Sequence, residues 1–216
     1  MKRETWRAFT KQFLLPSFEG GHVVGELVLV PSNEWLCRGF AVESSGFSAK
    51  RFTIDVFVLP LYVPVRHVHF TYGGRVGSLS GNADVWWDLS RPGWEERASN
   101  EAITEARNFF DAVNEPRDLA NYISEKLGDR AQQDPREQEA IAYSRILSGE
   151  SVEAIEALKR GRELADARDE EWAKGTSSRM GMVDDRLRRG LPAAIEVLDH
   201  WREENRQVLR LPAIAS

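Results

Sequence analysis

Four residues carry the chemistry this sequence could perform: Arg38, Asp55, and the pair His67 and His69 inside Val65–Arg75 (VRHVHFTYGGR). In a strand, side chains two apart share a face. His67, His69 and Thr71 then point one way, and Val68, Phe70 and Tyr72 the other. Upstream, Phe52, Ile54, Val56 and Val58 make an apolar face, while Thr53, Asp55, Phe57 and Leu59 make a mixed one. If Pro60–Pro64 closes a hairpin with Leu59 opposite Val65, Asp55 faces His69 and Phe57 faces His67. The apolar faces then agree too, Val56 meeting Val68 and Ile54 meeting Phe70. Two imidazoles and a carboxylate can hold a divalent metal, and a His–Asp pair can move protons. Arg38, on a neighbouring strand, would anchor an anion. The pattern is of low specificity, because alternating histidines recur in strands and no further ligand follows at metal-site spacing. A polar sheet face is the favoured reading, with no catalytic residue, metal or cofactor assigned.

Other templates are weaker still. Gly73-Gly74-Arg75-Val76-Gly77 fits neither dinucleotide nor phosphate-loop spacing and reads as a turn or bulge. Ser45-Gly46 and Ser80-Gly81 lack the setting of a nucleophile elbow. Cys37 alternates with Trp35 and Gly39 in a strand and reads as a small buried residue. Trp86-Trp87 places one indole on each face. The lone cysteine excludes an internal disulfide and any multi-cysteine metal site.

The elements that must position these residues follow from periodicity. Residues 3–15 predict an amphipathic helix with Trp6, Phe9 and Phe13 on one side, ended by Pro16 and the turn Glu19-Gly20-Gly21. Strands are predicted over His22–Val30, Trp35–Glu43, Arg51–Leu59 and Arg66–Tyr72, with a shorter one over Asp84–Leu89. Helices follow: one capped at Ser99-Asn100-Glu101 and running to Pro116, then Arg117–Leu127, Pro135–Leu147, Val152–Arg168, Glu170–Arg189 and Pro192–Leu209. Strands followed by helices predict an α+β fold. An N-terminal helix packs on an antiparallel sheet over residues 1–95, and a helical region occupies 96–216. A faint repeat supports helical hairpins: Leu147 with Ala154-Ile155-Glu156-Ala157-Leu158 recurs as Leu187 with Ala194-Ile195-Glu196-Val197-Leu198. Pro60-Leu61-Tyr62-Val63-Pro64 predicts a stiff, extended bridge at the end or edge of the sheet, since each proline fixes φ and biases its predecessor.

With 42% hydrophobic residues and seven tryptophans in 216, a core is readily built. The opening residues lack the apolar run of a signal peptide, and no 18-residue apolar stretch exists; a cytoplasmic protein without membrane contact is expected. The formal charge of −5 is unevenly spread. Residues 1–97 carry 11 Lys/Arg against 10 Asp/Glu, and residues 98–216 carry 18 against 24. The second half would repel nucleic acid and suits a basic protein partner.

Phe57-Val58-Leu59-Pro60-Leu61-Tyr62-Val63-Pro64 with His67-x-His69-Phe70-Thr71-Tyr72-Gly73-x-Arg75, and the ending Ala193–Leu198 with Trp201–Glu204, resemble the bacterial family named domain of unknown function 4304. The resemblance implies a helix and antiparallel sheet with trailing helices. It assigns no reaction and carries over no catalytic residue. Some such bacterial proteins look like immunity proteins encoded beside toxins. The expectation is a non-enzymatic, cytoplasmic protein-binding module, with an immunity-type toxin inhibitor as the specific form considered. The alternative is a small enzyme or metal-binding protein using Asp55, His67, His69 and Arg38.

Overall fold

The chain is α+β: an N-terminal helix, an antiparallel sheet and then a succession of helices. The structure, a computed structural model, describes residues 1–30, 32–65 and 72–211. Residues 66–71, with His67 and His69, lie outside the described residues. The chain divides into two units, Met1–Leu59 with Val68–Ala112, and Pro60–His67 with Val113–Ser216.

In the first unit, α1 (Arg3–Phe9) continues through a π-helical turn at Thr10–Leu14 and a 3-10 turn at Leu15–Ser17. The sheet runs β1 (His22–Val24), β2 (Leu27–Val30), β3 (Leu36–Ser45), β4 (Ser48–Pro60), β5 (Tyr72–Arg75), with β6 (Trp87–Asp88) pairing β4. The apolar run His22–Val30 is thus two strands, not one. Gly25, at φ 65°, turns the chain back so that Val24 pairs Leu27.

The apolar face of β4 carries Phe52, whose ring meets Trp87 at 5.6 Å and Trp94 edge-on at 5.3 Å. Trp94 opens α2 (Trp94–Ala112) and also packs on Phe9 at 5.1 Å. Farther along, Phe110 of α2 meets Phe40 of β3 at 6.1 Å. The cover over Phe52 is therefore shared: α2 and Trp87 touch it, and α1 backs Trp94. Ser99, expected as the cap of this helix, sits in its interior and donates to the Glu96 carbonyl at 3.1 Å. The helix begins at Trp94 because Gly93, at φ 68°, turns into it and Glu95 and Glu96 favour its positive end.

The second unit holds α3 (Pro116–Leu127), the short α4 (Asp129–Gln133), α5 (Pro135–Leu147), α6 (Ser151–Asp166), α7 (Glu171–Leu187) and α8 (Leu191–Val208). Local signals start them: Asp118 accepts from the Glu115 and Asn114 amides at 2.9 and 3.1 Å, and Asp134 accepts from Arg136 N at 2.9 Å. The repeated motif marks equivalent core positions, Ala154 and Leu158 on α6 and Ala194 and Leu198 on α8, all essentially inaccessible.

Helix α5 is buried on nearly every side, polar residues included. Glu139 is paired in a two-pronged bridge with Arg179, both bonds 2.8 Å, and accepts from Tyr143 Oη at 3.0 Å. Gly161 lets α6 approach closely, since a Cβ there would lie 2.7 Å from Met180 Sδ and 2.9 Å from Gln138 Cβ.

The residues after Pro60 belong to this second unit. They form a buried turn rather than an extended hairpin bridge, with Leu61 and Tyr62 inaccessible. Asn205 of α8 donates from Nδ2 to the Leu61 and Val63 carbonyls, each at 2.7 Å, and its Oδ1 accepts from Val65 N at 3.1 Å. Tyr62 Oη lies 2.6 Å from Ser144 Oγ of α5. Replacing Asn205 by Ala strands two acceptors and one donor, and is expected to lower stability by roughly 2–4 kcal/mol. Asn205→Asp keeps only the acceptor for Val65 and should also destabilise. Urea unfolding checks this; a midpoint within error of wild type for both variants would contradict it.

Candidate functional site

Of the four candidate residues, the structure places two. Asp55 sits on β4 opposite Arg75 of β5, not opposite His69 as the hairpin register required. The pairing is offset by six residues. Gly73 makes it possible: at φ 139° its missing Cβ would lie 2.0 Å from the Val56 carbonyl, an approach no other residue could make.

Arg75 organises the surrounding charge. Its Nη2 and Nε donate to Glu43 Oε2 at 2.6 and 3.1 Å, and its Nη1 to Asp84 Oδ2 at 2.7 Å. The guanidinium also lies 5.5 Å from the Trp86 ring centroid. Asp55 completes a group of three carboxylates around one cation. Burial, reinforced by Glu43 and then Asp84 and opposed by Arg75, pushes its carboxyl up to about 6. A carboxyl so poised exchanges a proton near neutrality, which is the property general acid–base chemistry uses.

Arg38 is not part of this group. It alternates with Phe40 on β3, is buried, and stacks 5.5 Å from the Phe110 ring on the face that α2 covers. Glu43 and Asp55 occupy the other face. The tryptophan pair divides as expected: Trp87 on the Phe52 side, Trp86 beneath Arg75. Cys37 is buried and, as the one cysteine of the chain, forms no internal disulfide. No group of three or more His, Cys, Asp or Glu suited to a metal occurs among the described residues.

The glycine-rich turn holds a carboxylate of the chain itself. Gly77 N donates to both oxygens of Glu105 on α2 at 2.9 Å, and Ser80 Oγ donates to Oε1 at 2.6 Å. Gly77, at φ 96°, could carry no Cβ without meeting the Ala83 carbonyl at 2.2 Å. These donors are the kind that would cradle a phosphate, and Glu105 already uses them.

Glu43 and Asp84 escaped sequence reasoning, and Trp86 was read only as half of a tryptophan pair, because Glu43 lies on β3 and Asp84 and Trp86 on the segment before β6, far from Asp55 in sequence. No helix among the described residues is long and apolar enough to cross a membrane. No family model, curated protein or solved structure matches this chain.

The proton on Asp55 has a stability consequence. An unfolded aspartate releases it near pH 4, and the folded one near 6. The fold therefore holds the extra proton across that window, and stability contributed by the group is full below pH 4 and lost as pH rises through 6. Melting temperatures of wild type relative to Asp55→Asn should fall between pH 4 and 6 and run parallel above 7. A carbon-13 titration of the Asp55 carboxyl with a midpoint near 4 would contradict this.

Proposed function

We propose that this chain is a non-enzymatic protein-binding module of the immunity type, acting by occluding a basic partner. One observation on α6 carries the reading. Val152 and Ile155, 68% and 46% exposed, lie one turn apart and are flanked by exposed Glu153 and Glu156. An exposed apolar pair with a charged border is how a small interface is built. Exposed Asp166, Asp169, Glu170 and Glu171 extend the negative charge at the turn from α6 to α7. Such a surface steers a positively charged protein and fixes its orientation. A cytoplasmic location and the resemblance to domain of unknown function 4304 belong with this reading.

One observation favours a second reading, an enzyme or metal-binding protein using the sheet face: the Asp55 carboxyl held near 6 beside Arg75. Elemental analysis of wild type and of the His67→Ala and His69→Ala variants separates the two. A stoichiometric metal lost in the variants would favour the second.

The partner reading is tested by affinity purification of the tagged chain from its own cells, against Glu153→Lys/Glu156→Lys and Val152→Asp forms. A basic protein should be retained by the wild type and lost from both variants. For the purified pair, the charge reversal should slow association at low salt by about tenfold or more, and the difference should shrink as salt is added. Recovery of the same proteins with all three forms would refute the reading.

A further inference from the structure

Phe47 is the most exposed large apolar side chain among the described residues. It sits with Gly46 in the short turn between β3 and β4. A Cβ added to Gly46 would meet nothing within 4 Å, so the turn stands clear of the rest of its unit. The turn is nonetheless fixed by its own serines: Ser45 Oγ accepts from Phe47 N at 3.2 Å, and Ser48 Oγ from Lys50 N at 3.3 Å. Turns are ordinarily built from small and polar residues, and a bare phenylalanine adds nothing to this fold. A ring presented this way suits an interface anchor, because little freedom is lost when it is buried.

The charge beside the ring is positive. Residues 44–51 include exposed Lys50 and Arg51 and no acid. Asp88 pairs opposite Arg51, and Lys50 and Arg91 act on the same carboxylate, so three cations stand against one anion. Glu43, at the base of the hairpin, is held by Arg75. The matching surface is apolar with a negative border, and the first two turns of α6 have that chemistry. Residues 151–158 carry exposed Val152 and Ile155 with Glu153 and Glu156, and no cation. Lys159 and Arg160 follow one turn later and confine the match to the start of the helix.

We propose that the β3–β4 hairpin of one copy docks on the α6 surface of a second copy. Phe47 lies on Val152 and Ile155, while Lys50 and Arg51 face Glu153 and Glu156. The inference rests on the reading of α6 as a recognition surface and adds its regulation: the hairpin carries the chemistry expected of the basic partner and competes with it. The two surfaces differ, so the contact is head-to-tail and leaves one hairpin and one α6 surface free at the ends. A buried phenylalanine contributes about 150–250 Å². A lasting interface needs roughly 1,000 Å² or more, so this one is weak and reversible, with a dissociation constant of about 0.1–1 millimolar.

Sedimentation equilibrium of the full chain from about 0.05 to 1 millimolar reads the contact. At the top of that range the wild-type weight-average mass should reach about twice the monomer or more, and fall back as salt is added. Phe47→Ser, which removes no packing from the fold, should stay monomeric with an unchanged melting temperature, and so should Glu153→Lys/Glu156→Lys. An equimolar mixture of these two variants holds one intact hairpin and one intact α6 surface. It should associate again and stop at a pair. A monomeric wild type, association that persists in either variant, or a mixture that stays monomeric would overturn the proposal. The partner reading fails by a different result, a basic protein held equally by wild type and by the α6 variant. Phe47→Ser keeps α6 intact, so that reading expects it to retain the partner whatever the sedimentation shows.

Discussion

The backbone between Pro60 and Val65 must be satisfied, and the way it is satisfied governs much of the helical unit. Two prolines remove two donors, while the Leu61 and Val63 carbonyls are turned inward with Leu61 and Tyr62 out of reach of water. Asn205 supplies both donors and one acceptor from a single side chain. It does so from the buried stripe of α8, following Ala194, Leu198 and Trp201 at helical spacing. An amide in an apolar stripe is unfavourable unless fully paired, and here each of its groups is used. The Tyr62 hydroxyl is met in turn by Ser144 on α5, and Tyr143 next to it packs on Trp201 at 5.6 Å. The segment, α5 and α8 thus hold one another in place.

Helix α5 extends the same logic. A helix buried all round must either be apolar or satisfy its polar groups internally. Glu139 does the latter through Arg179 and Tyr143, and Gln138 through the Ala131 carbonyl at 2.7 Å. Burial and the Glu139 charge hold the Tyr143 phenol well above its ordinary range, so it remains a donor to that carboxylate. Charge deeper in the unit is therefore matched. Outside, on α6, apolar Val152 and Ile155 and acidic Glu153 and Glu156 are presented together to solvent.

The sheet unit divides its chemistry by face. One face is aromatic and covered by α2, and Arg38 is spent there on Phe110. The other gathers Glu43, Asp55, Asp84 and Arg75, where one guanidinium serves two carboxylates directly and a third, Asp55, holds its proton up to about pH 6. The Gly77 turn shows the same economy, with a carboxylate of α2 seated on its amide.

The sequence alone determined the α+β class and the longer helices of the second half, though not the short α4, because caps, prolines and 3.6-residue stripes are local: Asp134-Pro135 starts α5 where expected, and Leu147 ends it. It also determined which side of β4 is apolar, since alternation sets parity. It could not determine register. Sliding β5 by six residues flips no side chain, so the pattern that matched Asp55 with His69 fits Asp55 with Arg75 equally well. Only the close approach allowed by Gly73 decides between them. The fate of Pro60–Val65 was also beyond local reading. Its prolines dictate stiffness, but its burial depends on Asn205, some 140 residues away, and on the packing that brings α8 to it.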